Sequence, residues 1–379
     1  MPGIYIHIPF CRQACHYCNF HFSVSQKRRP EFLKALLKEI SIQKDFLYPD
    51  KNNRFPLDTL YFGGGTPSLL ETSELEKIFN VLHKHFSFSP NAEITLEANP
   101  DDLIPEKLES LRELSVNRLS IGIQSFYEAD LRYMNRSHNS RQAIDVLNYA
   151  QDAGFVNITA DLIYGTPGMS DKQWRQNIMQ LVKLGIPHIS AYSLTVEKKT
   201  ALEVFIRRGK AAPVDEDQSA RQFDILCEIA SQYGYEHYEV SNFGKKGYFS
   251  RHNLGYWSGD PYLGLGPSAH SFTPGVRQWN LANTCKYIDS LKLGKISAQK
   301  EVLTHEQQYN EYVMTSLRTM WGIDENLVKL RFGEKYYEGM IRSARKYIDN
   351  GKLVLSDGRL KVSRKGMFFA DGIAADLFA

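Results

Sequence analysis

Long apolar segments are absent from this sequence. No part of the 379-residue chain approaches the run of roughly 18 apolar residues that a membrane-spanning helix requires. The opening residues, MPGIYIHIPFC, contain no basic stretch followed by an apolar core of the kind found in secretory signals. The sequence therefore predicts a cytoplasmic protein with no integral membrane segment, and it leaves peripheral contact with a membrane surface open.

An excess of charge of one sign is also absent. The 46 basic and 43 acidic residues leave a net charge of +3, and neither type is concentrated in one tract. Proteins that bind nucleic acid usually carry a basic patch, so the composition argues against nucleic acid as a partner. With 42% hydrophobic residues and no low-complexity segment, the chain has the composition of a globular protein with a substantial core.

Cysteines are few, and their distribution does not suit a disulfide framework. The chain has five, an odd number, and three of them lie within eight consecutive positions. In a reducing compartment such clustering indicates a metal site rather than disulfide bonds.

Short runs of β-branched and apolar residues alternate with segments of helical periodicity over the first half of the chain. The predicted strands are 4–8, 57–62, 92–98, 118–124, 157–164 and 188–195. The predicted helices between them are 31–46, 71–86, 105–115, 140–153 and 170–184. This alternation indicates βα units around a parallel sheet. About six units are too few for a closed eight-fold barrel, so we expect an α/β fold with a partial, open parallel β/α barrel; a doubly wound sheet is the alternative.

The alternation fades after about residue 200, and the rest of the chain is organised differently. Residues 235–280 are rich in glycine and aromatic residues. Helical patterns follow at 304–320, 324–332 and 334–350, and then Asp357-Gly358 within LVLSDGRLKV indicates a tight hairpin. Since one domain usually has roughly 100–200 residues, we divide the chain into three parts. They are a barrel over 1–235, a linking region over 236–300 and a smaller, mainly α, winged-helix-like domain over 301–379.

The segment CRQACHYC places three cysteines in a loop directly after the first predicted strand. Thiolates of Cys11, Cys15 and Cys18 are close enough in sequence to bind one cubane 4Fe-4S cluster. Such clusters normally take four cysteine ligands, so three leave one iron open to another ligand. Zinc is the competing metal, because His16 and His21 lie nearby and Cys3His zinc sites exist.

Other polar and glycine residues fall at the carboxyl ends of the predicted strands. GGGTP, residues 63–67, follows the second strand, Glu97 ends the third, Gln124 ends the fourth, and Asp161 lies in the fifth. Barrel enzymes build their sites at this end of the sheet. Glycines without a Cβ allow backbone groups to approach a ligand, although the same loop is also compatible with an ordinary βα turn.

The segment YIHIPFCRQACHYC resembles the radical S-adenosylmethionine (SAM) family of oxygen-independent coproporphyrinogen III oxidases and their relatives. The resemblance extends over nearly the whole chain. It implies that SAM chelates the open iron and is cleaved reductively to methionine and a 5′-deoxyadenosyl radical, with an electron donor such as a flavodoxin or ferredoxin. The positions that match SAM contacts of the family are Tyr5, Tyr17, Gly64, Gly65, Thr66, Glu97, Gln124, Arg136 and Asp161, with Thr195 as a weaker match.

Two departures from the oxidases redirect the expected function. The oxidases have a further cysteine two positions beyond the third cluster ligand, where this chain has Phe20. The chain also contains RHNLGYW, which is similar to a signature of related heme chaperones. The resemblance implies heme as a further ligand, with His252 as its axial ligand and Asn253, Tyr256 and Trp257 around it. Without the resemblance, this segment is more typical of a histidine and two aromatics packed at a domain edge.

Three functional hypotheses follow from the sequence. The first is a heme chaperone that transfers heme to acceptor hemoproteins and is not an active coproporphyrinogen oxidase. The alternative is an oxygen-independent coproporphyrinogen III oxidase, and the third is a radical SAM enzyme with an unrelated substrate, which leaves RHNLGYW unexplained. His270 is a second candidate for the axial ligand, and His7 is expected to be a buried, hydrogen-bonded histidine.

Overall fold

The computed structural model describes residues 1–48 and 54–379 and has an α/β fold. Its strands are β1 Gly3–Ile8, β2 Leu57–Gly64, β3 Phe88–Ala98, β4 Arg118–Gln124, β5 Asn157–Tyr164, β6 His188–Ser193, β7 Glu236–Glu239, β8 Asn242–Gly244, β9 Tyr262–Leu265, β10 His270–Thr273, β11 Val276–Asn280, β12 Ala298–Val302, β13 Ile323–Asp324, β14 Leu353–Ser356 and β15 Arg359–Val362. Its α-helices are α1 Arg29–Ile42, α2 Thr72–His85, α3 Pro105–Glu113, α4 Glu128–Tyr133, α5 Ser140–Asp152, α6 Asp171–Lys183, α7 Ala201–Arg207, α8 Glu216–Gln232, α9 Arg251–Ser258, α10 Thr284–Lys292, α11 His305–Leu317, α12 Glu325–Phe332, α13 Glu334–Asp349 and α14 Ala370–Asp376.

Strands β1 to β6 lie side by side in chain order and pair in parallel. The helices that connect them are amphipathic. In α2, for example, Leu75, Ile78, Phe79 and Leu82 are buried, at the spacing that places side chains on one helical face. These elements confirm the predicted partial parallel barrel of about six βα units.

A seventh parallel strand extends the barrel beyond the predicted units. Strand β9 pairs in parallel with β1 on the side opposite β2, and β10, β11 and β12 continue the same sheet in antiparallel orientation. At the other end of the sheet, β8 and β7 follow β6. The segment 236–300, interpreted from sequence as a linking region, therefore supplies strands to both ends of the sheet.

One buried carboxylate anchors this extension to the barrel. Glu39 of α1 accepts hydrogen bonds from the Gly266 amide at 2.8 Å, from Asn280 Nδ2 at 2.6 Å and from the Tyr287 hydroxyl at 2.6 Å. Burial raises the pKa of Glu39 above its usual value, but the three donors replace water around the carboxyl group. Glu39 thus adds a side-chain anchor to the backbone pairing that places β9 to β11.

The C-terminal region has its own hydrophobic core. Buried residues of α11, α12, α13 and the β14–β15 hairpin pack together, and β13 completes a three-stranded antiparallel sheet. Asp357 and Gly358 have φ angles of 53° and 70°, as a tight hairpin turn of this kind requires. The predicted winged-helix-like domain and its hairpin are confirmed.

The chain around α11 contacts both ends of the large sheet. Near β7, the Val240 amide donates to the Arg318 carbonyl at 2.9 Å, and the Met320 amide donates to the Tyr238 carbonyl at 3.0 Å. Near β11, Arg277 forms an ion pair with Glu311 of α11 at 2.8 Å. This part of the C-terminal region therefore spans the opening of the partial barrel.

Among residues 1–48 and 54–379, no helix has both the length and the apolar character needed to cross a membrane.

Candidate functional site

The three clustered cysteines line one cavity at the carboxyl ends of the parallel strands. This space, called here the cysteine cavity, has a volume of about 820 Å³ and contains Cys11, Cys15 and Cys18 in its wall. The loop that carries them is held by backbone hydrogen bonds, including Cys11 amide to Ser23 carbonyl at 3.1 Å. Arg136 Nη1 also donates to Cys15 Sγ at 3.3 Å, which favours a negatively charged sulfur at that position.

The protein environment disfavours free thiolates at two of these cysteines. Burial raises the pKa of Cys11 to about 11 and also raises the pKa of Cys18. A metal centre binds the deprotonated form, so its assembly would release these protons. In the described part of the chain, no group of three or more His, Cys, Asp or Glu side chains is arranged to hold a single metal ion. The thiolates of a cubane cluster each bind a different iron, so they need not converge on one point.

Most of the residues predicted to contact SAM share this cavity with the cysteines. They are Tyr17, Gly64, Gly65, Thr66, Glu97, Gln124, Arg136 and Asp161, together with Thr195. Tyr5 does not line the cysteine cavity and instead faces a neighbouring one. Asn99 and Tyr192 also line the cysteine cavity, although no sequence motif singles them out.

Gly65, directly after β2, is required because two loops pack closely there. A Cβ at Gly65 would lie 2.6 Å from the Phe10 carbonyl oxygen and 2.8 Å from that of Ile8. The Gly65 amide donates to the Ile8 carbonyl at 2.8 Å, and the Thr66 amide donates to the Phe10 carbonyl at 2.7 Å. These amides therefore already hold the cysteine loop, whereas the sequence predicted that they would be available to a ligand.

Two carboxyl groups line the cysteine cavity, and one of them raises the pKa of the other. Glu97 accepts hydrogen bonds from the Tyr61 hydroxyl at 2.8 Å and from the Gly64 amide at 3.1 Å. Burial raises the pKa of Glu97, and burial together with the nearby Glu97 charge raises the pKa of Asp161 to about 7. Asp161 is therefore close to its titration midpoint near neutral pH, and its ionised form can accept hydrogen bonds from ligand hydroxyls or an ammonium group.

Gln124 adopts a backbone conformation that is uncommon for a residue with a side chain. Its φ angle is +64°, in the left-handed region. Holding a residue other than glycine in this conformation costs about 1–3 kcal/mol of folding free energy, and such residues concentrate at functional sites. The distortion occurs where β4 ends, with Gln124 lining the cysteine cavity.

A second cavity adjoins the first and has a largely aromatic wall. This space, called here the aromatic cavity, has a volume of about 970 Å³ and is lined by Tyr256, Trp257, Tyr262 and Phe272 among other residues. Its wall comes from β1, α9, β9, β10, β11 and α11. Phe20, Gly64 and Glu97 line both cavities, so the two spaces meet beside the cysteine loop.

The RHNLGYW segment forms helix α9, and its residues have different surroundings. Tyr256 and Trp257 line the aromatic cavity, but His252 is only 3% exposed and does not. The Thr59 hydroxyl lies 2.8 Å from His252 Nδ1, and the Tyr256 hydroxyl lies 2.8 Å from Nε2. Burial lowers the pKa of His252 to about 3, so the ring is neutral. Iron binds a single imidazole nitrogen, so the predicted role of His252 as an axial ligand would require the ring to reach the cavity and give up the hydrogen bond at that nitrogen. Asn253 lies on neither cavity wall.

Fold and site together define a class of protein. A partial parallel barrel that carries a three-cysteine loop after its first strand, with glycine and carboxylate residues at the following strand ends, is the architecture of radical SAM proteins. Residues 5–181 match the radical SAM superfamily, and residues 303–369 match the HemN C-terminal domain.

Comparisons with known proteins narrow the class to a family. The heme chaperone HemW of Bacillus subtilis (strain 168) is 34% identical to this chain over 382 residues, and the match covers 98% of each chain. Radical S-adenosyl methionine domain-containing protein 1, mitochondrial, of Danio rerio is 30% identical, and the match covers 98% of this chain and 85% of that protein. The chain belongs to the HemW family of radical SAM proteins.

A solved structure supports the fold assignment. The structure of coproporphyrinogen III oxidase (HemN) from Escherichia coli superposes with a TM-score of 0.85 at 21% sequence identity, covering 100% of this chain and 90% of that chain. At this identity the likeness shows a shared fold.

Proposed function

We propose that this protein is a heme chaperone, which binds heme and transfers it to acceptor hemoproteins while carrying a SAM-coordinated 4Fe-4S cluster. The observation that carries the proposal is the aromatic cavity beside the cysteine cavity. Its volume of about 970 Å³ is in the upper range of small-molecule and cofactor sites. Relatives that match nearly the full length of this chain are named heme chaperones.

In this proposal Cys11, Cys15 and Cys18 hold the cluster. When bound, the cluster and SAM supply the reducing chemistry of the class, and an electron donor such as a flavodoxin or ferredoxin is needed if SAM is cleaved. Arg136 donates to Cys15 Sγ at 3.3 Å and, through Nη2, to Asn99 Oδ1 at 2.6 Å. It therefore stabilises negative charge on the sulfur and fixes the loop relative to β3.

The remaining residues of the cysteine cavity bind SAM in this proposal. Asp161 and Glu97 accept hydrogen bonds from hydroxyl or ammonium groups, and Gln124 can both donate and accept. Thr66, Gly64 and Gly65 shape the wall next to the cysteines. Their grouping in one space supports a common ligand.

The RHNLGYW segment contributes the heme-contacting wall. Tyr256 and Trp257 present aromatic surface to the cavity, which suits the flat, apolar faces of a porphyrin. His252 Nε2 lies 2.8 Å from the Tyr256 hydroxyl and therefore orients that ring. The guanidinium of Arg318 lies 5.7 Å from the Trp257 ring centroid, so the C-terminal region also supports this wall.

The oxidase alternative is disfavoured by the residue between the two cavities. Phe20 lines both cavities and is 68% exposed, whereas the oxidases have a cysteine at the matching position. A phenyl ring has no acidic proton and no redox chemistry. We therefore expect no decarboxylation of coproporphyrinogen III, and we place the chaperone in the cytoplasm, where hemoproteins could receive its heme.

Heme titration and a turnover assay test this function together. Anaerobically reconstituted protein should bind about one heme per chain and, with SAM and reductant, should leave coproporphyrinogen III unchanged. Trp257→Ala should weaken heme binding. The matched control Trp321→Ala should leave heme binding unchanged, because Trp321 does not line the cavity. Turnover of coproporphyrinogen III would replace the proposal with the oxidase, and absence of heme binding would refute it.

A further inference from the structure

Three histidines surround the aromatic cavity, and their ring nitrogens differ in availability. His252 is buried behind the wall with both nitrogens in hydrogen-bonding contact. His7 lines the cavity but is 4% exposed; its Nε2 lies 2.8 Å from the His21 carbonyl, and its Nδ1 lies 3.3 Å from the Tyr5 hydroxyl. His270 lines the cavity, is exposed, and makes no side-chain hydrogen bond within the described residues.

The strand that carries His270 directs its ring into the cavity. His270 and Phe272 are alternate residues of β10 and both line the cavity, as expected for side chains on one face of a strand. The ring of Trp279, which lies opposite His270 on β11, stacks with the imidazole at a centroid distance of 6.0 Å and an interplanar angle of 21°. This contact orients the ring without occupying either nitrogen.

The aromatic cavity is lined by Glu97 and Glu311 as well as by two arginines, and one of these arginines is available to a ligand carboxylate. Arg277 and Arg331 line it. Arg277 is partly neutralised by Glu311 at 2.8 Å and Glu301 at 3.4 Å, whereas Arg331 has no ion pair within the described residues. Heme has a flat apolar face, an iron that accepts imidazole, and two propionates. The aromatic wall, His270 and Arg331 complement these three features.

We infer that His270, rather than His252, supplies the axial nitrogen to heme iron, and that His252 is a positioning residue that orients Tyr256. The inference rests on the proposed function, since it assigns the ligand within the same heme site. It predicts that a free imidazole nitrogen is available in the unliganded fold without any rearrangement of α9.

The test compares His270→Ala with His252→Ala by titrating each reconstituted protein with hemin. His270→Ala should shift the Soret band and raise the heme dissociation constant by about tenfold or more, equivalent to at least about 1.4 kcal/mol. Added imidazole should restore the Soret position in His270→Ala, because the deleted side chain leaves space on the cavity wall. His252→Ala should keep the Soret position of the parent protein, even if the loss of two hydrogen bonds lowers its melting temperature.

The outcomes separate this inference from the function on which it rests. If His270→Ala keeps the parent spectrum and affinity while His252→Ala loses them, the ligand assignment is overturned and the chaperone function stands. The assignment is likewise overturned if imidazole restores the spectrum of His252→Ala instead. If the parent protein binds no heme, the proposed function fails first. Iron and sulfide content, which should remain that of the parent in both variants, shows that the fold and the cluster survive.

Discussion

The two adjoining cavities are built in different ways. The cysteine cavity takes its residues mainly from the ends of consecutive parallel strands and the loops that follow them, so neighbours in space come from successive βα units. The aromatic cavity combines β1, α9, β9 to β11 and α11, which are far apart in the chain. Motifs with regular spacing can identify the first kind of site, whereas the second becomes visible only when the sheet is assembled.

The largest effect is expected from a test of whether the two cavities are independent sites, in which the cluster ligands are removed. Replacing Cys11, Cys15 and Cys18 together by Ala should abolish the roughly four irons per chain and the charge-transfer absorption expected of a cubane cluster. Heme affinity should stay close to that of the parent protein, because the cysteines do not line the aromatic cavity. Parallel loss of heme binding and iron would show that the two cavities form one site.

A second test acts on the assembly of the aromatic cavity. Glu39→Ala should lower the free energy of unfolding by roughly 3 kcal/mol or more, because three buried donors each lose an acceptor at a cost of about 1–3 kcal/mol. Heme binding should weaken more than cluster assembly, since Glu39 anchors the segments that carry β9 to β11. Glu31→Ala on the same helix is the control; its ion pairs are solvent-exposed, and such pairs contribute little to stability. Equal unfolding midpoints for the two variants would contradict this role.

The third test uses the carboxyl pair of the cysteine cavity. The folded-state pKa of Asp161, about 7, lies above its unfolded value of roughly 3.9. The folded apoprotein therefore keeps a proton that the unfolded chain releases, so stability should fall as pH rises from about 4 to 7, by up to about 1.4 kcal/mol per pH unit. Asp161→Asn should flatten this slope in urea unfolding, and the exposed Asp152→Asn should not. If Asp161→Asn leaves the pH dependence of the unfolding free energy unaltered, Asp161 is not its cause.

The smallest expected effect concerns the link between His252 and Tyr256. Tyr256→Phe keeps the aromatic surface but removes the hydroxyl that lies 2.8 Å from His252 Nε2, so unfolding stability should fall by about 1 kcal/mol. The Soret position should not change. Tyr233→Phe, at an exposed position on another part of the fold, should have no measurable effect. A Soret shift in Tyr256→Phe would indicate that this hydroxyl or its histidine reaches the iron.

Periodicity was sufficient to predict the barrel from the sequence. The strand predicted at 157–164 forms as Asn157–Tyr164, and the helix predicted at 140–153 forms as Ser140–Asp152. These elements carry strong local signals, alternating or helical apolar patterns, and the partners of each strand come from the next unit in the chain. The predicted SAM contacts also share one cavity, apart from Tyr5.

Long-range packing explains what the sequence could not indicate. Strand β9 is a short, glycine-containing segment, and its parallel partner β1 is more than two hundred residues earlier in the chain. Likewise, RHNLGYW contains a histidine beside aromatics, but contacts with Thr59 and Tyr61 of β2 hold the ring facing inward. His270, which the sequence named only as a second candidate, gains significance from the cavity that forms around it.

The backbone pairing between residues 318–320 and β7 has a further consequence for the behaviour of the chain in solution. Strand β7 is the last strand at its end of the sheet, and an open strand edge can recruit a second molecule and start aggregation. The hydrogen bonds of Val240 and Met320 occupy part of that edge. The C-terminal region therefore also protects the sheet against self-association, and a protein shortened before residue 303 would expose this edge as a template for assembly.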